Sequence, residues 1–143
     1  MLERLLVPVD GSEHAEEAMF FALDLAERFG SEVGVLNVLP NVGIRFASSP
    51  MWVGEHLERM RGESREMLGN HFEKAVGRNP DLEITTELKE GRPADVIVET
   101  VEEEDYSMIV MGSRGLGVVQ EMVLGSVSRE VVEKSRIPVL IVK

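Results

Sequence analysis

Apolar positions along this chain follow two different periods, and the period changes several times between the two ends. Short apolar or β-branched runs, each closed by turn residues, predict buried strands at residues 5–9, 33–39, 106–111 and 139–142. Ile84, Thr86 and Leu88 alternate with charged or polar neighbours, which predicts a half-exposed strand near a sheet edge. The pattern therefore indicates five strands.

Between the strands, apolar residues three and four positions apart predict four helices. The first has Ser12 as its N-cap and ends at Gly30, and its apolar face comprises Ala15, Ala18, Met19, Ala22, Leu25, Ala26 and Phe29. The second covers residues 53–76, closed by Gly77, the third has Pro93 at its first position, and the fourth covers residues 126–134. Residues 42–50 have no clear period and contain glycine, serine and proline, which predicts a loop.

Five strands that alternate with four helices predict an α/β fold, with a mainly parallel sheet covered by helices on both faces. The length fits one domain over residues 1–143. In such sheets, ligands bind at the carboxyl ends of the strands, where the strand order reverses. Asp10 and Gly112 both follow predicted strand ends, so they can share one crevice.

Composition and charge narrow the class of partner. Hydrophobic residues make up 43% of the chain and charged residues 29%, as in ordinary folded proteins. The net charge of −11 argues against nucleic acid, which needs a basic face, but allows a small anion held locally by backbone N–H groups. The absence of cysteine excludes disulfides and thiolate metal ligands. No apolar run reaches the roughly 18 residues of a membrane span and no export signal is recognisable, so we expect a cytoplasmic protein.

Candidate chemistry is concentrated in M-G-S-R-G-L-G-V-V-Q-E-M-V-L-G-S, residues 111–126, where four glycines follow an apolar run. The stretch lacks the lysine of a P-loop and the G-x-G-x-x-G spacing of a dinucleotide site. Gly112 and Gly115 would let the backbone approach a ligand closely. Gly125 and Ser126 would place free N–H groups at a helix N-terminus, with the Ser126 and Ser128 hydroxyls as further donors, which suits phosphate. An equally open alternative is that Gly115 and Gly117 only make turns and Ser126 only caps a helix.

The run from residue 111 to residue 143, with G-x2-G-x9-G-S, closely resembles the nucleotide-binding branch of the universal stress protein family. The segments L-L-V-P-V-D-G-S, G-R-P-A-D-V-I-V and I-P-V-L-I-V extend the resemblance to nearly the whole chain. The resemblance implies a Rossmann-like, five-stranded parallel sheet of order 3-2-1-4-5. It also implies a homodimer formed through the last strand, Val139 to Val142.

The resemblance further implies an ATP site, although AMP or another adenine nucleotide is a possible ligand. It places Pro8, Val9 and Val38 at the adenine, and Asp10 and Gly112, preceded by Met111, at the ribose. The phosphates would meet Gly115, Gly125, Ser126, Val127 and Ser128, with Mg²⁺ held through the phosphates and no metal bound by the protein directly. The implied function is a nucleotide-dependent regulatory or stress-response module with a protein partner.

Several residues and two other functions have competing interpretations. Asp10 could equally serve ordinary turn chemistry. Arg114 lies in the glycine loop and could touch phosphate, but an exposed loop residue is the favoured interpretation. The three histidines are too scattered for zinc. A slow ATPase or phosphotransferase is one alternative, but no lysine or convincing general base stands beside the glycines, so we expect weak hydrolysis at most. A nucleotide-free interaction domain is the other.

Overall fold

A computed structural model describes residues 2–41, 50–115 and 124–143. Strands and helices alternate along the described residues. In chain order, the elements are β1 (Arg4–Pro8), α1 (Glu13–Phe29), β2 (Glu32–Leu39), α2 (Pro50–Arg78), β3 (Ile84–Glu90), α3 (Pro93–Glu103), β4 (Met108–Gly112), α4 (Ser126–Lys134) and β5 (Val139–Val142).

The five strands form one parallel sheet of order β3-β2-β1-β4-β5, which confirms the predicted fold class. Leu5 of β1 is in register with Val33 of β2 on one side and with Met108 of β4 on the other. From β1 the chain moves outward to β2 and β3, then returns to the other side of β1 to form β4 and β5. The strand order therefore reverses between β1 and β4, and a crevice is expected at their carboxyl ends.

Alternate side chains of the central strands bury two separate cores, one on each face of the sheet. Leu5, Val7 and Val9 pack with α1 and α2, which cover one face. Leu6, Leu36 and Ile109 pack with α3 and α4 on the other. Because both faces are covered, the central strands are apolar throughout, which explains their continuous apolar runs in the sequence.

The ends of α1 follow local capping signals. The Ser12 hydroxyl accepts a hydrogen bond from the Ala15 N–H at 3.2 Å, and Gly30 has the left-handed φ of 67° that favours glycine at a helix end. Phe29 was predicted on the buried face but is 62% exposed, because the buried face of α1 ends one turn earlier, at Ala26.

The bounds of α2 and the start of β4 differ from those predicted. Helix α2 begins at Pro50, which the sequence assigned to a loop, and continues past Gly77 to Arg78. The remainder of that loop, residues 42–49, lies outside the described residues. Strand β4 begins at Met108, because the Tyr106 N–H donates to the Val101 carbonyl of α3 at 3.2 Å and its side chain packs in the core beside that helix. Among the described helices, none has the length and apolarity required to cross a membrane.

Candidate functional site

A cavity of about 400 Å³ lies at the carboxyl ends of β1, β2 and β4, at the reversal of strand order. This size is within the usual range for small-ligand sites, roughly 300–1,000 Å³. The structure brings every nominated site residue to its lining: Pro8, Val9, Asp10, Val38, Met111, Gly112, Gly115, Gly125, Ser126, Val127 and Ser128. Residues far apart in the sequence thus share one concave surface.

Asp10 occupies the turn between β1 and α1. Its Oδ1 accepts a hydrogen bond from the Ser12 N–H at 3.0 Å, so the ordinary turn role is present. Its Oδ2 lies against Gly115: a Cβ added at that glycine would stand 3.4 Å from Asp10 Cγ and closer still to Oδ2. The carboxylate therefore shapes the turn with one oxygen and borders the cavity with the other.

Gly112 ends β4 beneath the first turn of α1. A Cβ at this position would lie 2.8 Å from both the carbonyl carbon and the carbonyl oxygen of His14. The neighbouring atoms belong to the backbone of a helix and cannot rotate away. Close packing between strand and helix is therefore sufficient to explain this glycine, whether or not a ligand approaches it.

Gly125 is the N-cap of α4, and Ser126 is the first residue inside the helix. The Gly125 N–H donates to the Ser113 carbonyl at 2.7 Å, so the expectation that this N–H would be free for a ligand is wrong. The alternative in which Ser126 caps the helix is also wrong, because its side chain is exposed at the position after the cap. The N–H groups of Ser126, Val127 and Ser128 belong to the first turn, where a helix offers no internal acceptor.

Ser128 is 4% exposed, and its hydroxyl donates to the Gly112 carbonyl at 2.9 Å. A hydroxyl has one proton to donate, so this proton does not point to a ligand as the sequence suggested. The bond instead fastens the first turn of α4 to the end of β4. Ser128 therefore holds the helix N-terminus in place at the cavity.

Ion pairs on the surface also join the two helices on this side of the sheet. Arg92, just before α3, lies 2.6 Å from Glu130 of α4, and Lys134 of α4 lies 2.9 Å from Asp95 of α3. These cations lower the pKa of Glu130 and Asp95 below their ordinary values. Exposed pairs of this kind contribute little stability individually. Their geometry nevertheless connects the first turn of α3 to α4 beside the cavity.

Backbone N–H and C=O groups of β2 face the cavity beyond the end of β1. The β1–β2 register ends with Pro8 opposite Leu36, and the Leu36 carbonyl accepts from the Val9 N–H at 2.8 Å. Backbone groups alternate in direction along a strand, so the N–H and C=O of Val38 point to the same side as those of Leu36. The backbone groups of Val38 therefore point to the position that β1 would occupy if it extended further.

Other lining residues were not nominated from the sequence. Met67 was expected to be core filler, yet it borders both the core and the cavity, 3.8 Å from the Cβ position of Gly11. Arg114 is half-buried and lines the cavity, so its favoured interpretation as an exposed loop residue is wrong, and its contact with phosphate stays a prediction. A signal did exist for Asn37, which is a polar residue inside the apolar run V-G-V-L-N-V-L. The remaining missed residues are Ala15, Leu36, Leu39, Pro40, Ser64, Pro93 and Ile97.

His71 of α2 is 6% exposed, and burial lowers the pKa of its imidazole below the ordinary value. The ring is therefore neutral at pH 7.

Within residues 2–41, 50–115 and 124–143, no three side chains among His, Cys, Asp and Glu are grouped so that they could hold a metal ion.

The architecture defines a Rossmann-like α/β protein with a candidate small-ligand site at the switch point of its sheet. The model of the universal stress protein family matches residues 1–143, and the chain therefore belongs to that family.

Relatives and solved structures agree with this assignment. Universal stress protein YxiE of Bacillus subtilis is 35% identical over 150 residues, and the match covers 100% of both chains. The structure of the hypothetical protein MJ0577 is 30% identical with a TM-score of 0.81, covering 100% of this chain and 96% of that one. The structure of an Archaeoglobus fulgidus universal stress protein in complex with dAMP is 28% identical with a TM-score of 0.71, and the match covers 100% of both chains.

Proposed function

We propose that the cavity binds an adenine nucleotide, ATP in the first place, and that the bound nucleotide regulates a stress-response module. The observation that carries the proposal is the combination of three elements around one cavity: the Val38 backbone, the Asp10 carboxylate and the N-terminus of α4. These elements suit a base, a ribose and phosphates respectively. The dAMP complex of the Archaeoglobus fulgidus relative supports the same ligand class.

The base would lie at the end of β2. Val38 directs one N–H donor and one C=O acceptor past the end of β1. Adenine presents the complementary pair, an acceptor at N1 and an amino donor at N6. Leu36, Leu39 and Ile97 supply apolar wall on which a planar ring can rest.

The ribose and phosphates would follow across the cavity toward α4. Asp10 is a carboxylate that can accept from ribose hydroxyls, and Gly115 leaves room beside it. The first-turn N–H groups of α4 and the helix dipole favour negative charge, which suits the phosphates. Mg²⁺ would be held through the phosphate oxygens. The ligand is abundant in the cytoplasm, where we propose that the protein acts.

Calorimetric titration with ATP, AMP and GTP tests the proposal directly. We expect saturable binding of the adenine nucleotides and weaker binding of GTP. Mass spectrometry of small molecules released from freshly purified, denatured protein supplies an independent test, since a retained nucleotide would be detected. Absence of adenine nucleotide binding in titration, with the protein folded, would overturn the proposal in favour of a nucleotide-free interaction domain.

Ser126→Ala is expected to weaken ATP binding by roughly 10- to 150-fold, the range for losing a hydrogen bond to a charged group. Because Ser126 follows the N-cap and is exposed, folding stability should change by less than about 0.5 kcal/mol. Titration of the variant, together with urea denaturation, separates the two effects. A variant that binds ATP like the parent protein would remove Ser126 from the phosphate site.

We also propose that two copies of the chain associate through β5, residues Val139 to Val142. This strand forms one edge of the sheet, contains no charged residue, and each of its four residues is half-buried in a single chain. An apolar edge strand presents unpaired backbone groups that a second copy can pair. We expect sedimentation to give the mass of a dimer at micromolar concentration, and a monomer would contradict the proposal.

A further inference from the structure

Asn37 is a buried polar residue in the middle of the apolar strand β2, with 6% of its surface exposed. Asn37 belongs to the cavity lining, and its side-chain Nδ2 donates to the Val9 carbonyl at 2.7 Å. A buried amide is costly unless it forms hydrogen bonds, so this contact stabilises the side chain in one position. The contact matters because the Val9 carbonyl is also the acceptor that the next backbone hydrogen bond between β1 and β2 would use.

In a regular parallel ladder the Val9 carbonyl would have a different donor. Leu36 makes the last pairing with β1, and its carbonyl accepts from the Val9 N–H at 2.8 Å. The next bond of the same ladder would run from the Val38 N–H to the Val9 carbonyl. The Asn37 side-chain amide donates to that carbonyl instead, and the described residues show no bond from the Val38 N–H to it, so the backbone ladder ends at the bond between Val9 and Leu36.

We infer that Asn37 is a positioning residue for base recognition: it occupies the Val9 carbonyl and thereby leaves the Val38 N–H directed at N1 of a bound adenine. The inference rests on the proposed function, because it needs an adenine nucleotide in the cavity. It assigns a role in specificity to a side chain that acts through the backbone of its neighbour. The donor at Val38 matches the acceptor at adenine N1, whereas guanine presents an N–H there and would leave two donors opposed.

A pair of ligands that differ only at position 1 of the base isolates this contact. In 1-deaza-AMP a C–H group replaces N1, while the amino group, ribose and phosphate are those of AMP. We expect the parent protein to prefer AMP over 1-deaza-AMP by about tenfold, the effect of one hydrogen bond. In Asn37→Leu the Val9 carbonyl loses its side-chain donor, the Val38 N–H bonds to it, and the preference should fall to within about twofold.

A matched control is available at the opposite end of the same two strands. Ser31 is 3% exposed, and its hydroxyl donates to the Leu2 carbonyl just before β1, so Ser31→Ala also removes a buried side-chain donor from a backbone acceptor. This variant should lose stability but keep the tenfold preference for AMP. A general loosening of β1 and β2 would instead weaken AMP and 1-deaza-AMP equally in both variants.

Calorimetric titration distinguishes failure of the role inferred for Asn37 from failure of the proposed nucleotide binding. An Asn37→Leu protein that keeps the full preference, or a parent protein that binds AMP and 1-deaza-AMP equally, overturns the inference and leaves nucleotide binding intact. A parent protein that binds neither ligand overturns the proposed function as well. Should Asn37→Leu fail to fold, Asn37→Ala also removes the donor, with a smaller side chain, and is expected to lose the preference in the same way.

Discussion

Gly115→Val is expected to lower the affinity for ATP by at least about 100-fold, which in a titration amounts to loss of binding. The cause is steric: the first atom of any side chain at this position meets the Asp10 carboxylate, and the valine methyl groups extend further into the same space. Asp10 cannot simply rotate away without losing the 3.0 Å bond between its Oδ1 and the Ser12 N–H. Gly125→Val is also expected to weaken ATP binding, because it adds a side chain at the N-cap of α4, on the cavity lining where the phosphates would lie.

The position of the glycine should decide the result. Gly69→Val adds the same side chain at an exposed site of α2, where a Cβ has no neighbour within 4 Å, and ATP should bind normally. Gly117→Ala, which lies outside both the G-x2-G-x9-G spacing and the described residues, should also bind nearly normally. If Gly115→Val and Gly125→Val both bound ATP as tightly as the parent protein, the interpretation that these glycines make room for the phosphates would be wrong.

Gly112→Ala is expected to destabilise the fold by about 3 kcal/mol, the upper part of the range for forcing extra atoms into a packed interior. One methyl group at the end of β4 would lie 2.8 Å from backbone atoms of His14, so α1 must move away from the sheet. Urea denaturation measures the loss directly.

Gly69→Ala is expected to change the stability in the opposite direction in the same assay. It replaces a glycine inside α2 where nothing is crowded, and it should stabilise the protein by about 0.5–1 kcal/mol. Equal unfolding midpoints for Gly112→Ala and the parent protein would show that the strand and the helix tolerate a side chain between them.

The sequence predicted those parts of the fold that local chemistry determines. Helix α4 and strand β5 have the predicted bounds, and Ser12 and Gly30 end α1 as expected, because periodicity and capping depend on neighbouring residues. The strand order came from the family resemblance. Periodicity alone does not specify which strands become neighbours, since any α/β alternation is compatible with several orders.

The details of the site depend on contacts that no local pattern encodes. The bond from Ser128 to Gly112 spans 16 residues, and the bond from Asn37 to Val9 spans 28. Both were therefore invisible in the sequence, although both change the chemistry attributed to their residues. Ser128 was nominated as a phosphate donor and instead fastens a helix, whereas Asn37 was not nominated at all.

The two edges of the sheet have opposite character, and this difference would limit the size of the assembly that we propose. On one edge, β3 presents Glu87, Lys89 and Glu90, and Arg61 of α2 reaches Glu90 at 2.9 Å. On the other, β5 is entirely apolar. Growth into a fibre would require one edge to pair with its opposite, and charged edge residues oppose such pairing. In the proposed dimer, β5 pairs with β5. Such pairing is self-complementary and uses the apolar edge of both copies, so assembly is expected to end at two copies.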